Sequence, residues 1–140
     1  MNNDQIIKDI LLSTKTVASV GLSSNPQKPS YGIALYLQGQ GYRIIPVNPT
    51  ATEALGEKCY PDLESVPEKI DVVQVFRKPE DVPPVVDSAI KIGAKVVWMQ
   101  EGIVNEEAAE KARAAGLLVV MDACMRAAHQ RLIGVKPVSL

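Results

Sequence analysis

The stretch TVASVGLSSNPQKPSYG, Thr16 to Gly32, decides the fold. It begins as a β-branched apolar run, reaches a glycine at Gly21, passes through a polar segment rich in serine and proline, and feeds residues 31–39, which read as a helix. A buried strand followed by a glycine-containing loop and a helix is how α/β proteins present a ligand-binding edge.

Four further apolar runs, at 42–47, 71–76, 95–99 and 117–121, follow the first at 16–22. They are nearly continuous in apolar residues instead of alternating, the pattern of strands covered on both faces in a parallel sheet. Helical periodicity fills the gaps. Ile6, Ile7, Ile10 and Leu11 share one face, and Val82, Val85, Val86, Ala89, Ile90 and Gly93 share another, with Asp81 as its expected cap. A helix at about 106–115 is opened by Asn105 and closed by Gly116, and a last helix is expected at 123–133. Residues 49–68 carry Pro49, Gly56, Pro61 and Pro67 and read as a loop with a short helix or strand. The whole predicts an α/β, Rossmann-like doubly wound three-layer sandwich over residues 1–140, one domain, with a five-stranded parallel sheet of order 3-2-1-4-5 and a ligand crevice between strands 1 and 4.

Composition narrows the function. With 46% hydrophobic and 22% charged residues, the 140-residue chain has an ordinary globular balance. A net charge of −1 without basic clusters gives no footprint for nucleic acid or an anionic membrane. No stretch approaches the roughly 20 apolar residues of a membrane span. The first twelve residues are interrupted by Asp4, Lys8 and Asp9, unlike a signal peptide, so a cytoplasmic location is expected. Cys59 and Cys124 form no CxxC pair and read as reduced thiols, and no metal site is expected.

The candidate binding residues stand at the carboxyl ends of the strands. After strand 1, Gly21 permits close backbone approach, Ser23 and Ser24 offer donors, Lys28 adds a charge, Ser30 is the expected cap of the next helix, and Gly32 lies in its first turn. Neither GxGxxG nor GxxxxGK[ST] is present, which weakens hydride and nucleotide-triphosphate chemistry. Strand 2 ends in Val47 and Asn48, where a NAD-binding protein usually carries an acidic residue. A neutral amide there suits coenzyme A (CoA) with its 3′-phosphate or NADP with its 2′-phosphate, and a simple Asn-Pro turn explains it equally well. Strand 3 delivers Phe76 for adenine and Arg77 for phosphate, although a lone Phe in the core and a solvated cation are the plainer alternatives. Strand 4 brings Gln100 and Gly102, groups able to meet pantetheine amides, and Trp98, which reads as buried packing.

Strand 5 leads into Asp122, Cys124 and His129, the place where an enzyme hypothesis begins. A thiol at a helix start is favoured as a nucleophile. Cys124 and His129 are nevertheless five positions apart, about 140° around a helix, and share no face. Asp122 as a cap, Cys124 as a small packing residue and His129 as a hydrogen-bonding helix residue is the structural reading, and no catalytic set is assigned.

Taken together, the strings VASVGLSSNPQKPSYGIALYLQGQGYRIIPVNP, VVQVFRKPEDVP, KVVWMQEGI and VVMDACMRAAHQRL closely resemble the small stand-alone CoA-binding proteins of bacteria and archaea. That family is similar in fold to the N-terminal CoA-binding domain of the succinyl-CoA synthetase alpha subunit. The resemblance implies a CoA pyrophosphate at residues 21–30, adenosine near Val47, Asn48, Phe76 and Arg77, and a pantetheine arm running towards residues 100–102. The synthetase subunit's second domain, with its phosphorylated histidine, has no counterpart among these residues, and His129 does not inherit that role. The expectation is therefore a non-catalytic module for CoA or an acyl-CoA, acting as sensor, carrier or enzyme partner, with a homodimer also open. The alternatives are a CoA-dependent transferase or ligase component, a thiol redox protein using Cys124, and a NAD(P)-binding regulator.

Overall fold

The computed structural model describes residues 3–137, so the first two and last three residues of the expected domain lie outside it. Helix α1 (Asp4–Ser13) opens on Asn3, whose side chain accepts from the N–H groups of Gln5 and Ile6. Strand β1 (Thr16–Val20), helix α2 (Pro29–Gly39) and strand β2 (Arg43–Val47) follow. Residues 49–68 hold a two-residue hairpin, β3 (Glu53–Ala54) with β4 (Glu57–Lys58), and a 3₁₀ turn at Leu63–Ser65. Strand β5 (Val72–Val75), helix α3 (Val82–Lys91), strand β6 (Val96–Met99), helix α4 (Glu106–Ala114), strand β7 (Leu118–Val120) and helix α5 (Met125–Leu132) complete the chain.

The five long strands form one parallel sheet in the order β2-β1-β5-β6-β7. The α/β, Rossmann-like architecture is the expected one. Counted along the chain, however, the five strands lie 2-1-3-4-5 and not 3-2-1-4-5, and the switch point falls between β1 and β5. Two features explain the difference. Pro46 lacks an N–H, which suits an edge strand and not the interior position that 3-2-1-4-5 requires of strand 2. The outer side of β2 is instead taken by Tyr60, which donates from its N–H to Pro46 O at 3.0 Å and accepts from Asn48 N–H at 2.9 Å.

Side chains alternate between two packed layers. Val17, Ile44, Val72, Val96 and Trp98 face α1, α2 and α5, while Ala18, Val20, Val73, Val75, Val97 and Met99 face α3 and α4. The inner strands β5 and β6 are buried throughout and β1 from Val17 onward, as expected, but β7 is an edge whose Leu118 is 50% exposed. Trp98 is fully buried, and its indole N–H donates to Ala123 O at 2.8 Å. Several caps differ from expectation. Asn105 does cap α4, accepting from Ala108 N–H. Asp81 precedes α3 without a side-chain capping bond, and Cys124, not Asp122, occupies the N-cap of α5. Asp122 sits in the left-handed region (φ 57°) and accepts from Gly102 N–H at 2.7 Å, tying the loop after β6 to the end of β7.

His129 is the buried polar residue of α5, 3% exposed. Its Nδ1 shares a 2.7 Å hydrogen bond with the Tyr36 hydroxyl, and both Tyr36 and Tyr42 meet its ring edge-on. Burial, reinforced by the Lys136 charge, lowers its pKa from 6.5. The unfolded chain therefore takes up this proton at a higher pH than the native state, so stability is full above about pH 6.5 and falls as pH is lowered through that range. Thermal melting between about pH 8 and about pH 5 should show this loss in the wild type and a flatter profile in His129→Gln; equal slopes would contradict it.

Candidate functional site

The carboxyl ends of β1, β5 and β6 meet the start of α2 and α5 around an open cavity of about 530 Å³. Gly21, Ser23, Lys28, Ser30, Phe76, Arg77 and Gln100 line it, together with Pro29, Ile33, Glu101, Ile103 and Cys124. Seven of the twelve residues singled out in the sequence thus share one wall system.

Its floor is the turn after β1. Gly21 adopts φ +90° and packs so tightly that a Cβ placed on it would stand 2.5 Å from Phe76 O. The Gly21 N–H donates to Val47 O at 2.8 Å and the Phe76 N–H to Val20 O at 2.8 Å, so β2, β1 and β5 are tied together at the crevice. The loop that follows holds itself by short-range bonds. Ser23 Oγ accepts from Asn25 N–H, Asn25 Oδ1 from Gln27 N–H, and Ser30 Oγ from Ser23 N–H at 3.1 Å. Ser30 is therefore not the cap of α2 but a residue of its first turn, because Pro29 takes the first helical position and Lys28 the N-cap. Lys28 makes no side-chain capping bond, so the amino end of α2 opens on the cavity uncapped. Such an end favours an anion through its unpaired N–H groups and its dipole.

The opposite wall rests on a buried amide chain. Ser19 donates its hydroxyl to Gln74 Oε1 at 2.7 Å, and Gln74 Nε2 donates to Gln100 Oε1 at 3.1 Å. Gln100 Oε1 also accepts from Met125 N–H at 3.1 Å, which fixes the start of α5. Both acceptor positions of Gln100 are spent, and its Nε2, without a partner among the described residues, is the donor it offers the cavity. Gln100→Leu strands the Met125 N–H and the Gln74 amide; urea denaturation should show a loss of about 1–3 kcal/mol, and wild-type stability would contradict this network.

The remaining five sequence candidates lie elsewhere. Ser24 is exposed in the loop, and Gly32 faces Arg126, whose Nη1 would be 3.6 Å from a Cβ added there. Asn48 is committed to structure: Nδ2 donates to Leu22 O, and Oδ1 accepts from the N–H and hydroxyl of Thr50. Gly102 is exposed and bonded to Asp122. Val47 lines a second cavity of about 450 Å³ on the other side of β1, with Val20, Pro49, Leu63 and Val85, and Arg77 borders both cavities. Cys124 and His129 are separated as expected, His129 lining a third cavity with Leu11, Lys15 and Tyr42. Ile33, Ile103 and Arg126 were not singled out. Ile33 follows Ser30 by three residues, so helical spacing was the available signal for it. Among the described residues there is no group of three metal-ligating side chains, and no helix is long and apolar enough to cross a membrane.

The carboxyl edge of this Rossmann-like sheet thus presents an anion-favouring helix start and two cavities, with Arg77 bordering both. The chain belongs to the CoA-binding domain family, whose model matches residues 15–130. It is similar to the uncharacterized protein YneT of Bacillus subtilis, 44% identical over 123 residues that cover 88% of this chain and 91% of that protein. A hypothetical protein from Pyrococcus horikoshii has a solved structure that superimposes with a TM-score of 0.92 at 44% identity, covering 95% of this chain and 94% of that one. The acetate–CoA ligase (ADP-forming) II of Archaeoglobus fulgidus is 33% identical over 96 residues, 66% of this chain but 14% of the ligase.

Proposed function

We propose that this protein is a binding module for coenzyme A or an acyl-CoA, without a reaction of its own, acting as a single domain in the cytoplasm alone, as a homodimer or beside a partner enzyme. The observation that carries the reading is the cavity at the β1–β5 switch point, where the uncapped start of α2 and the cations Lys28 and Arg77 converge in a chain of the CoA-binding domain family.

CoA would lie across the carboxyl edge of the sheet. Its pyrophosphate meets the Gly21–Ser30 loop and the first turn of α2, where backbone N–H groups and Lys28 favour negative charge. The adenosine turns towards the second cavity, beside Val47, with Arg77 between the two cavities and within reach of phosphate. Asn48 supports this arrangement by holding Leu22 in place. The pantetheine arm runs past Phe76 and Ile103, with the Gln100 amide nitrogen as a donor for its carbonyls.

Calorimetric titration of the ligand-free protein with CoA, dephospho-CoA, NADP and ATP tests the reading. Tightest binding of CoA, weakened when the 3′-phosphate is removed, is the expected result. Binding of NADP or ATP with none of CoA would overturn it.

A further inference from the structure

Cys124 is half-buried on the wall of the larger cavity, at the N-cap of α5 and next to Met125, whose N–H is held by Gln100. Two buried polar side chains on the same cavity have capacity to spare. Gln100, 4% exposed, has an amide nitrogen without a partner, and Ser30, 9% exposed, accepts from Ser23 but donates its hydroxyl to no group among the described residues. The cavity therefore presents, on one set of walls, donors for an extended polar chain and a thiol. We propose that Cys124 forms a reversible mixed disulfide with the thiol end of a CoA unit bound in this cavity, by exchange with a CoA-containing disulfide. The inference rests on the CoA reading and adds a covalent, redox-dependent hold on the same ligand.

The exchange balances without any further oxidant. The Cys124 thiolate attacks the sulfur of the bound CoA half of a disulfide, the Sγ–S bond to CoA forms, and the original S–S bond breaks. The departing thiolate takes up a proton from water, replacing the one Cys124 gave up on ionising. One disulfide is consumed and one is made, and a second thiol reverses the step. Cys59 is a poor competitor: it is buried, away from this cavity, and burial together with the Glu53 carboxylate pushes its thiol pKa up.

The test is intact-mass spectrometry of the full chain under non-reducing conditions after exposure to CoA disulfide. The expected result is one CoA adduct, mapped to Cys124, removed by dithiothreitol, absent in Cys124→Ser and retained in Cys59→Ala. Pantethine, with the same disulfide but no nucleotide, should react at least about tenfold more slowly, and desulfo-CoA should protect against CoA disulfide, because binding raises the local concentration of the reacting sulfur. Equal rates for the two disulfides without protection would overturn the proposal, since they describe a merely reactive cysteine. No adduct in a protein that binds CoA by calorimetry would overturn it while leaving the CoA reading intact; no CoA binding at all would remove both.

Discussion

Replacing Gly21 by alanine is expected to destabilise the protein by about 2–4 kcal/mol and to weaken CoA binding in whatever fraction remains folded. Two costs add. The φ of +90° is open to glycine but strained for an L-residue, and the new Cβ would stand 2.5 Å from Phe76 O, a backbone atom that cannot rotate away. Relief requires the ends of β1 and β5 to move apart, which also strains the Gly21–Val47 and Phe76–Val20 hydrogen bonds, both at 2.8 Å. The cavity floor moves with them. Gly41 provides the comparison: it too has positive φ, 102°, but a Cβ there meets nothing within 4 Å, so Gly41→Ala carries only the conformational part. Urea denaturation of both variants separates strain from collision, and equal losses would contradict the close approach at Gly21.

Arg77→Glu is expected to weaken CoA on the order of 100-fold, about 3 kcal/mol, with little change in stability. Arg77 makes no ion pair or hydrogen bond among the described residues, so its removal breaks no structural contact of that kind. It borders both cavities, where a CoA molecule brings its phosphates, and reversing the charge replaces attraction with repulsion. Arg77→Lys keeps the charge but loses the planar fork, and an intermediate loss is expected. Calorimetric affinities that are unchanged in Arg77→Glu would move the phosphates to another part of the surface.

The parallel sheet was legible because five apolar runs without alternation leave little choice of architecture, and the turn at Gly21 was legible because glycine ends the first of them. Strand order was harder. The Pro46 signal for an edge strand was present in the sequence, yet the occupant of that edge, Tyr60, arrives through an irregular segment whose path no periodicity marks. The site shows the same division. Phe76 and Gln100, immediately past β5 and β6, and Arg77 beside Phe76 reach the cavity, because the Phe76 and Gln100 N–H groups still bond to the sheet at Val20 O and Val75 O. Ser24 and Gly102, further into their loops, and Asn48, immediately past β2, depend instead on local turns, and the turns at Asn48 and Gly102 consume their polar groups internally. Ser30 was misplaced as a cap for a related reason: α2 starts at Pro29, two residues before the expected start at Tyr31.

The most direct test of the central claim is amide chemical-shift mapping of the ¹⁵N-labelled protein titrated with CoA. Perturbations concentrated at Gly21–Ser30, Phe76 and Arg77, Gln100–Ile103 and Cys124 are the predicted result. Shifts gathered instead around Leu11, Lys15, Tyr42 and His129, or none at saturating CoA, would contradict it.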